Sequence, residues 1–333
     1  MEIICKILLT YWKLFLYRWC KRYRTCQSFT KEGDEEMETG FIGLGRMGSN
    51  LACNMHSKGI QVYGYDVSQA ARARAAEAGI CVKDSLQKLI AALHAPRIIW
   101  LMLPAGAATE DMIKRLSEVL SHGDFVIDGG NSFYQDSIRN YEFLKKKNIH
   151  FYDAGTSGGV LGARQGANLM IGGEEEHFHT IEKLFQCIAQ EQGYLYTGEA
   201  GSGHYLKMVH NGIEYGMMEA IGEGFELLQH GPFPYDNAQV AKLWNHGSVI
   251  RSWLMELAEE AFQDDVNLEA VKGVMYASGE GQWTVEEAMR CQVAVPVIAA
   301  ALMMRYRSMY EDTFTGKVVA SLRKGFGGHK TAQ

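Results

Sequence analysis

The residues best spaced for chemistry in this chain lie in one stretch, 204–215, which reads HYLKMVHNGIEY. Wound as an α-helix, it sets Lys207, His210, Asn211 and Glu214 at i, i+3, i+4 and i+7, within an arc of roughly 100°. An amine, an imidazole, a carboxamide and a carboxyl group then share one stripe, equipped to move protons and to hold hydroxyl groups. Met208, Val209 and Ile213 fall on the other side. Polar stripes on helices usually meet only water. Here, however, Gly-Ser-Gly precedes the stretch and Gly212 interrupts it, which lowers helix propensity. That cost is expected where something must approach the backbone closely.

A stripe of this kind needs a partner that holds the other reactant, and the start of the chain supplies one. A β-type run over 38–42 enters GLGRMG, which places Gly43, Gly45 and Gly48 in the G-x-G-x-x-G spacing. The spacing alone is weak. It lies, however, between a predicted strand and a predicted helix, and a second strand ends at Asp66, 18 residues after Gly48, where a dinucleotide fold carries its ribose-binding acid. Glycines there let the backbone reach a pyrophosphate at a helix N-terminus. Asp66 accepts from ribose hydroxyls and repels a 2′-phosphate, and Val67 stands where an NADP enzyme needs a cation, so NAD is expected rather than NADP. Candidate cofactor contacts are Gly43, Leu44, Gly45, Arg46, Met47 and Gly48 in the glycine turn. To these are added Asp66, Val67 and Ser68 after the second strand, Leu103, Pro104 and Ala105 after the strand that begins at Arg97, and Asn131.

Alternation continues through strands at 97–106, 125–132 and 149–159, each emptying into Gly, Ser, Asn or Pro at its carboxyl end, the edge where open parallel sheets bind ligands. A helix over GGEEEHFHTIEKLFQCIAQ and a strand GYLYTG complete that part. Beyond Gly201 helical periodicity dominates, over 203–230, 236–246, 247–263, 284–291, 294–310 and 312–324. Pro296 predicts a turn into the fifth segment or a kink. The expected fold is α/β plus all-α: a Rossmann-type doubly wound sheet over 37–200, then an all-helical substrate and dimerisation domain over 201–333.

At 333 residues two domains are expected. A net charge of −6 argues against nucleic acid as partner and for a small ligand. The seven cysteines form no C-x-x-C pair, so neither a disulfide framework nor a zinc site is suggested, and a cytoplasmic protein is expected. His177 and His179 are read as surface histidines, and no metal is expected. Residues 1–36 combine an apolar, basic run with an acidic patch. Lys13 interrupts the apolar run too early for a membrane span, although an interfacial helix fits the spacing. Because Met37 directly precedes the first strand, this segment is read as a disordered tail or a mis-called start, with no membrane partner.

Taken together, GLGRMG, DGGNS, GTSGG, GHYLKMVHNGIEYGMMEA and RKGFGGH resemble the decarboxylating 6-phosphogluconate dehydrogenase family in its shorter form, from about Met37 to His329. The resemblance implies Lys207 as general base and Glu214 as general acid, with His210 and Asn211 beside them. It implies substrate contacts at Asn131, Ser157, Gly158, Gly159, His210, Asn211 and Tyr215. Phosphate contacts fall on Arg251, Thr284, Arg323 and His329, and on Gln282, where the family carries lysine or arginine. In the family the last two of the set, Arg323 and His329, reach into the partner subunit's site, which implies a homodimer or homotetramer. The implied substrate is a sugar-acid phosphate, 6-phosphogluconate, oxidised by NAD and decarboxylated to ribulose 5-phosphate. The alternatives are a non-decarboxylating β-hydroxyacid dehydrogenase and a nucleotide-binding, non-catalytic homologue.

Overall fold

The computed structural model describes residues 37–310 and 312–331, so the expectations for residues 1–36 lie outside the described residues. The chain begins with β1 (Glu38–Ile42), α1 (Arg46–Ser57), β2 (Gln61–Tyr65), α2 (Gln69–Glu77) and β3 (Cys81–Val82). It continues with α3 (Leu86–Ala91), β4 (Ile98–Leu101), α4 (Ala107–Val119), β5 (Phe125–Asp128) and α5 (Tyr134–Lys145). Then come β6 (His150–Ser157), α6 (Gly159–Gln165), β7 (Ala167–Gly173), α7 (Glu175–Ile188) and β8 (Ala189–Gly198). These strands form one sheet in the order β3-β2-β1-β4-β5-β6-β7-β8. The chain reverses direction across the sheet between β1 and β4, and in such sheets the crevice at that point binds the ligand.

The strands read as apolar runs because both faces are covered. Phe41, Trp100, Ile127 and Tyr152 point into one core, with Phe185 of α7. Their neighbours Ile42, Leu101, Val126 and Phe151 point into the other, with Leu89 and Leu116. β7 departs from the expected pattern. It runs antiparallel to β6, pairing Ser157 with Asn168 and Tyr152 with Gly173. The sequence reading runs straight from the 149–159 strand to a helix and has no strand between them.

Beyond β8 the chain is helical: α8 (Ser202–Gln229), α9 (Asn237–Asn245), α10 (Trp253–Asp264), α11 (Glu280–Arg290), α12 (Pro296–Ser308) and α13 (Phe314–Gly327). α8, 28 residues and about 42 Å long, is the axle of this part. Phe225 on it packs between Trp244 and Phe262, at ring separations of 5.6 and 4.8 Å, with Val319 and Leu322 of α13 in the same core. Pro296 stands at the first turn of α12, where its missing N–H costs nothing. α10 starts at Trp253 instead of 247, because Ser252 caps it by accepting from the Met255 N–H at 3.2 Å. Among the described residues no helix is long and apolar enough to cross a membrane.

Candidate active site

The glycine turn fits an anion. Gly43 has φ +97°, and a Cβ on Gly48 would lie 1.9 Å from the Gly43 carbonyl oxygen, so the close seating of α1 on β1 excludes any side chain. Gly45 caps α1 without a side-chain hydrogen bond, and no acid lies in the first turn. The space above Gly45 is open, with nothing within 4 Å of a Cβ built there. First-turn amides thus face open space at the positive end of a helix, as a pyrophosphate requires. Asp66 stands at the end of β2, its carboxylate accepting from the Leu44 N–H and the Ser68 N–H, both at 2.7 Å. Arg72 is turned behind it, donating to the carbonyls of Asp66 and Val67 at 2.5 and 3.3 Å. Val67 is 78% exposed. Leu103, Pro104 and Ala105 follow β4, the parallel neighbour of β1, on the same sheet edge.

The polar stripe is built as expected, and one buried carboxylate anchors it. Asp153 on β6 accepts from the Gly201 N–H at 2.6 Å and the His204 N–H at 2.7 Å, supplying the cap that Gly201 has no side chain to provide. Burial pushes the Asp153 carboxyl up, while His204 and the two amides pull it down. His204 bonds Ser137 Oγ through Nδ1 at 2.7 Å and lies 3.2 Å from the Gly130 carbonyl through Nε2. The start of α8 is therefore tied to β5, α5 and β6 at once.

Along that helix Lys207 is 7% exposed, and burial holds its amine below the usual lysine range, opposed by Glu214 and Glu280. Its Nζ lies 3.5 Å from His210 Nδ1. The imidazole bridges Asn211 Oδ1 at 3.0 Å and Ser157 Oγ at 3.3 Å, with Glu214 Oε2 3.8 Å from Nδ1. Burial and then Lys207 lower the His210 pKa, so the amine and the imidazole oppose each other's protonation. Met208 is buried as expected, but Val209 lines the cavity and Ile213 is exposed. The close approach expected at Gly212 is present. A Cβ there would lie 2.7 Å from Thr284 Cγ2, so the close approach is that of α11.

Lys207, His210, Asn211, Glu214 and Tyr215 line a cavity of about 740 Å³ together with Met47, Asn131, Ser157, Gly158, Gly159, Arg323 and His329. The carboxyl end of the sheet thus meets the polar stripe and the end of α13. Gly159, at φ +59°, makes this possible: a Cβ there would lie 1.9 Å from the Phe326 carbonyl oxygen. Burial and the cations Arg323, Arg46 and Arg305 hold His329 down at about 4, so it enters as a neutral hydrogen-bonding group. Burial also lowers Arg323. Tyr215 is backed by the buried Arg305, whose guanidinium stacks 3.5 Å from the ring centroid.

The expected phosphate contacts are placed differently from one another. Arg323 and His329 line the pocket of their own chain, because Gly159 lets α13 and its following turn seat directly on α6. Arg251 precedes the Ser252 cap, is exposed, and does not line the cavity, although Ser252 and Trp253 do. Gln282 is exposed on α11, donating to Glu286 Oε1 at 2.7 Å. Thr284 is buried in the seam between helices, its hydroxyl 2.8 Å from the carbonyls of both Met208 and Glu280.

Glu280 is the residue that sequence reasoning missed. It is 3% exposed and lines the cavity, accepts from Ser278 Oγ at 2.7 Å, and has its carboxyl pushed up by burial against the pull of Ser278 and Lys207. The signal was a glutamate between two glycines. Gly281 has Tyr215 Cε2 2.4 Å from where a Cβ would sit, so the Gly-Glu-Gly turn exists to press a carboxyl into a crowded pocket.

Comparison with known proteins agrees with this geometry. Residues 38–198 match the NAD binding domain of 6-phosphogluconate dehydrogenase, and residues 203–325 match the C-terminal domain of that enzyme. The Bacillus subtilis protein YqeC is 55% identical over 295 residues, covering 89% of this chain and 99% of its own length. A Haloferax volcanii 6-phosphogluconate dehydrogenase, NAD(+)-dependent and decarboxylating, is 42% identical over 299 residues, with coverage of 89% and 99%. Among solved structures, a Plasmodium falciparum 6-phosphogluconate dehydrogenase, studied with its cofactor NADP+ and its substrate 6-phosphogluconate, superposes with a TM-score of 0.74 at 33% identity. That match covers 82% of this chain and 62% of the longer Plasmodium chain. A Rossmann-like nucleotide fold joined to a helical substrate half defines a dehydrogenase of the nucleotide-dependent class. The chain belongs to the 6-phosphogluconate dehydrogenase family.

Proposed function

We propose that this chain oxidises and decarboxylates 6-phosphogluconate to ribulose 5-phosphate, with NAD as the preferred cofactor. The observation that carries the reading is the buried Lys207 amine on the same cavity wall as Glu214, open toward the carboxyl end of a nucleotide-binding sheet. Residues 43–48, 66–68 and 103–105, with Asn131, hold the dinucleotide, whose nicotinamide supplies a hydride acceptor when bound. Asp66 with the exposed Val67 beside it, and Arg72 occupied on carbonyls, disfavours a 2′-phosphate.

Within the pocket Lys207, whose amine burial shifts toward the neutral form, takes the C3 hydroxyl proton as that carbon is oxidised. The ammonium so formed polarises the new C3 carbonyl, and the C1 carboxylate departs as carbon dioxide, leaving an enediol. Glu214 delivers a proton to C2, and the C3 hydroxyl gives its proton back to Lys207 as the enediol collapses to the ketose. Glu280 faces the same ammonium and stabilises it between the two steps. His210 and Asn211 orient the substrate hydroxyls with Ser157. Arg323 provides the charge for the phosphate, with His329 donating a neutral hydrogen bond, so the uncharged Gln282 leaves the phosphate site intact. The Haloferax relative's NAD dependence supports the cofactor assignment, and the Plasmodium relative's NADP shows that the family accommodates both.

The test supplies the purified protein with 6-phosphogluconate and either nucleotide, and measures carbon dioxide and reduced cofactor together. Equal yields of both products, faster with NAD, are expected. Reduced cofactor without carbon dioxide, turnover only of short β-hydroxy acids, or a preference for NADP would each overturn the corresponding part of the reading.

A further inference from the structure

We infer that His150, Glu174 and His177 bind a borderline divalent cation, zinc foremost, at the corner where β6 starts, β7 ends and α7 begins. One donor atom from each of the three lies within 4.8 Å of the others, and all three residues are half-buried. His150 Nδ1 is 2.6 Å from Glu174 Oε2, and the two imidazole rings are 4.1 Å apart between centroids. Two imidazoles with one carboxylate form a donor set suited to zinc, with a fourth position left for water. Hard cations such as calcium and magnesium prefer oxygen alone.

The corner is held rigid from behind, as a coordination site requires. Tyr152 Oη donates to the Glu174 carbonyl at 2.6 Å, Tyr196 Oη donates to the Gly173 carbonyl at 2.9 Å, and the His150 ring lies 4.8 Å from that of Phe125. A cation at a helix N-terminus meets the unfavourable end of the dipole. Glu174 at the cap and Glu175 and Glu176 in the first turn of α7 offset it, and Lys145 is an opposing cation within electrostatic reach of Glu174.

Sequence spacing hides the site. His177 and His179, two residues apart on a helix, cannot share a face, and His179 is exposed and bonds its own turn at the Glu176 carbonyl. The partner of His177 is brought in by strand pairing. His150 opens the strand that ends in Ser157, about 23 Å away at the rise of an extended strand, so the ion would clamp β6, β7 and α7 without touching the reacting groups.

The experiment titrates zinc chloride into the chelator-treated, tag-free full chain by calorimetry, and records the ligand-field absorption of cobalt bound in its place. Wild type and His179→Gln should bind with a tetrahedral cobalt signature and a raised melting temperature. His177→Gln should lose affinity by at least about 10- to 100-fold while melting as wild type does without metal. Glu174→Gln gives a second test should His177→Gln fold poorly. No binding by wild type, undiminished binding by the folded His177 and Glu174 variants, or loss of binding in His179→Gln would overturn the proposal.

Discussion

The two ends of the active cavity are made in different ways. On the nucleotide side, a strand, a turn and a helix consecutive in the chain place Gly43, Gly45 and Gly48, and Asp66 arrives on the adjacent parallel strand. On the substrate side, α8 supplies most of the lining, and β6, α6, α10, α11 and α13 add further groups from distant parts of the chain. A site made from one supersecondary unit can be damaged only locally. One assembled from six elements depends on every glycine that lets those elements touch.

The comparison breaks most visibly at Lys207. Lys207→Met should lower kcat by about 10²- to 10⁴-fold while the calorimetric affinity for NAD stays as it was; a parallel loss of nucleotide binding would mean that the two ends are not separable. Arg323→Met should raise KM for 6-phosphogluconate by roughly 10- to 100-fold, the loss of a charge-assisted contact of about 1.5–3 kcal/mol, again with NAD affinity unchanged. Asp66→Asn reverses the pattern, weakening NAD by about tenfold and narrowing its advantage over NADP, with KM for substrate held. An unchanged NAD/NADP ratio would remove Asp66 from the specificity argument.

Proton affinities sharpen the same contrast. Lys207 must be neutral to act, and burial lowers its pKa, so kcat/KM should rise with pH and level off below the ordinary lysine range. Glu280 raises the Lys207 pKa; Glu280→Gln should therefore displace that limb toward lower pH, and displacement the other way would refute the pairing. The smallest effect lies away from the cavity. Burial, aided by Glu223, lifts the Glu219 carboxyl to about 7, and its Oε1 has no hydrogen-bond partner. A folded pKa above the unfolded one means that stability is lost as pH rises through it. Glu219→Gln should leave the melting temperature alone near pH 4 and raise it by about 2–4 °C at pH 8.

How much could be read beforehand follows the same division. The glycine turn, Asp66 and the α8 stripe were legible because their geometry is set by residues near them in sequence. Glu280 was not, since a glycine-flanked glutamate reads as a turn until Tyr215 and Lys207 are seen to surround it. Arg251 and Gln282 were assigned to the phosphate by motif alone; in the structure Arg251 lies exposed just ahead of the Ser252 cap, and Gln282 pairs with Glu286 on the surface of α11. The pairing of β7 with β6 was missed because antiparallel register is a property of two segments. The glycines that frame β7 look the same whether they end a strand or a loop.

Asp153 carries a mechanical consequence. One carboxylate buried in the sheet grips the first amides of α8, so the nucleotide fold and the helix bearing Lys207 travel as a single body. A jaw-like hinge between the halves would have to tear that grip apart. The lie of the Lys207 helix against the sheet is thus set when the protein folds.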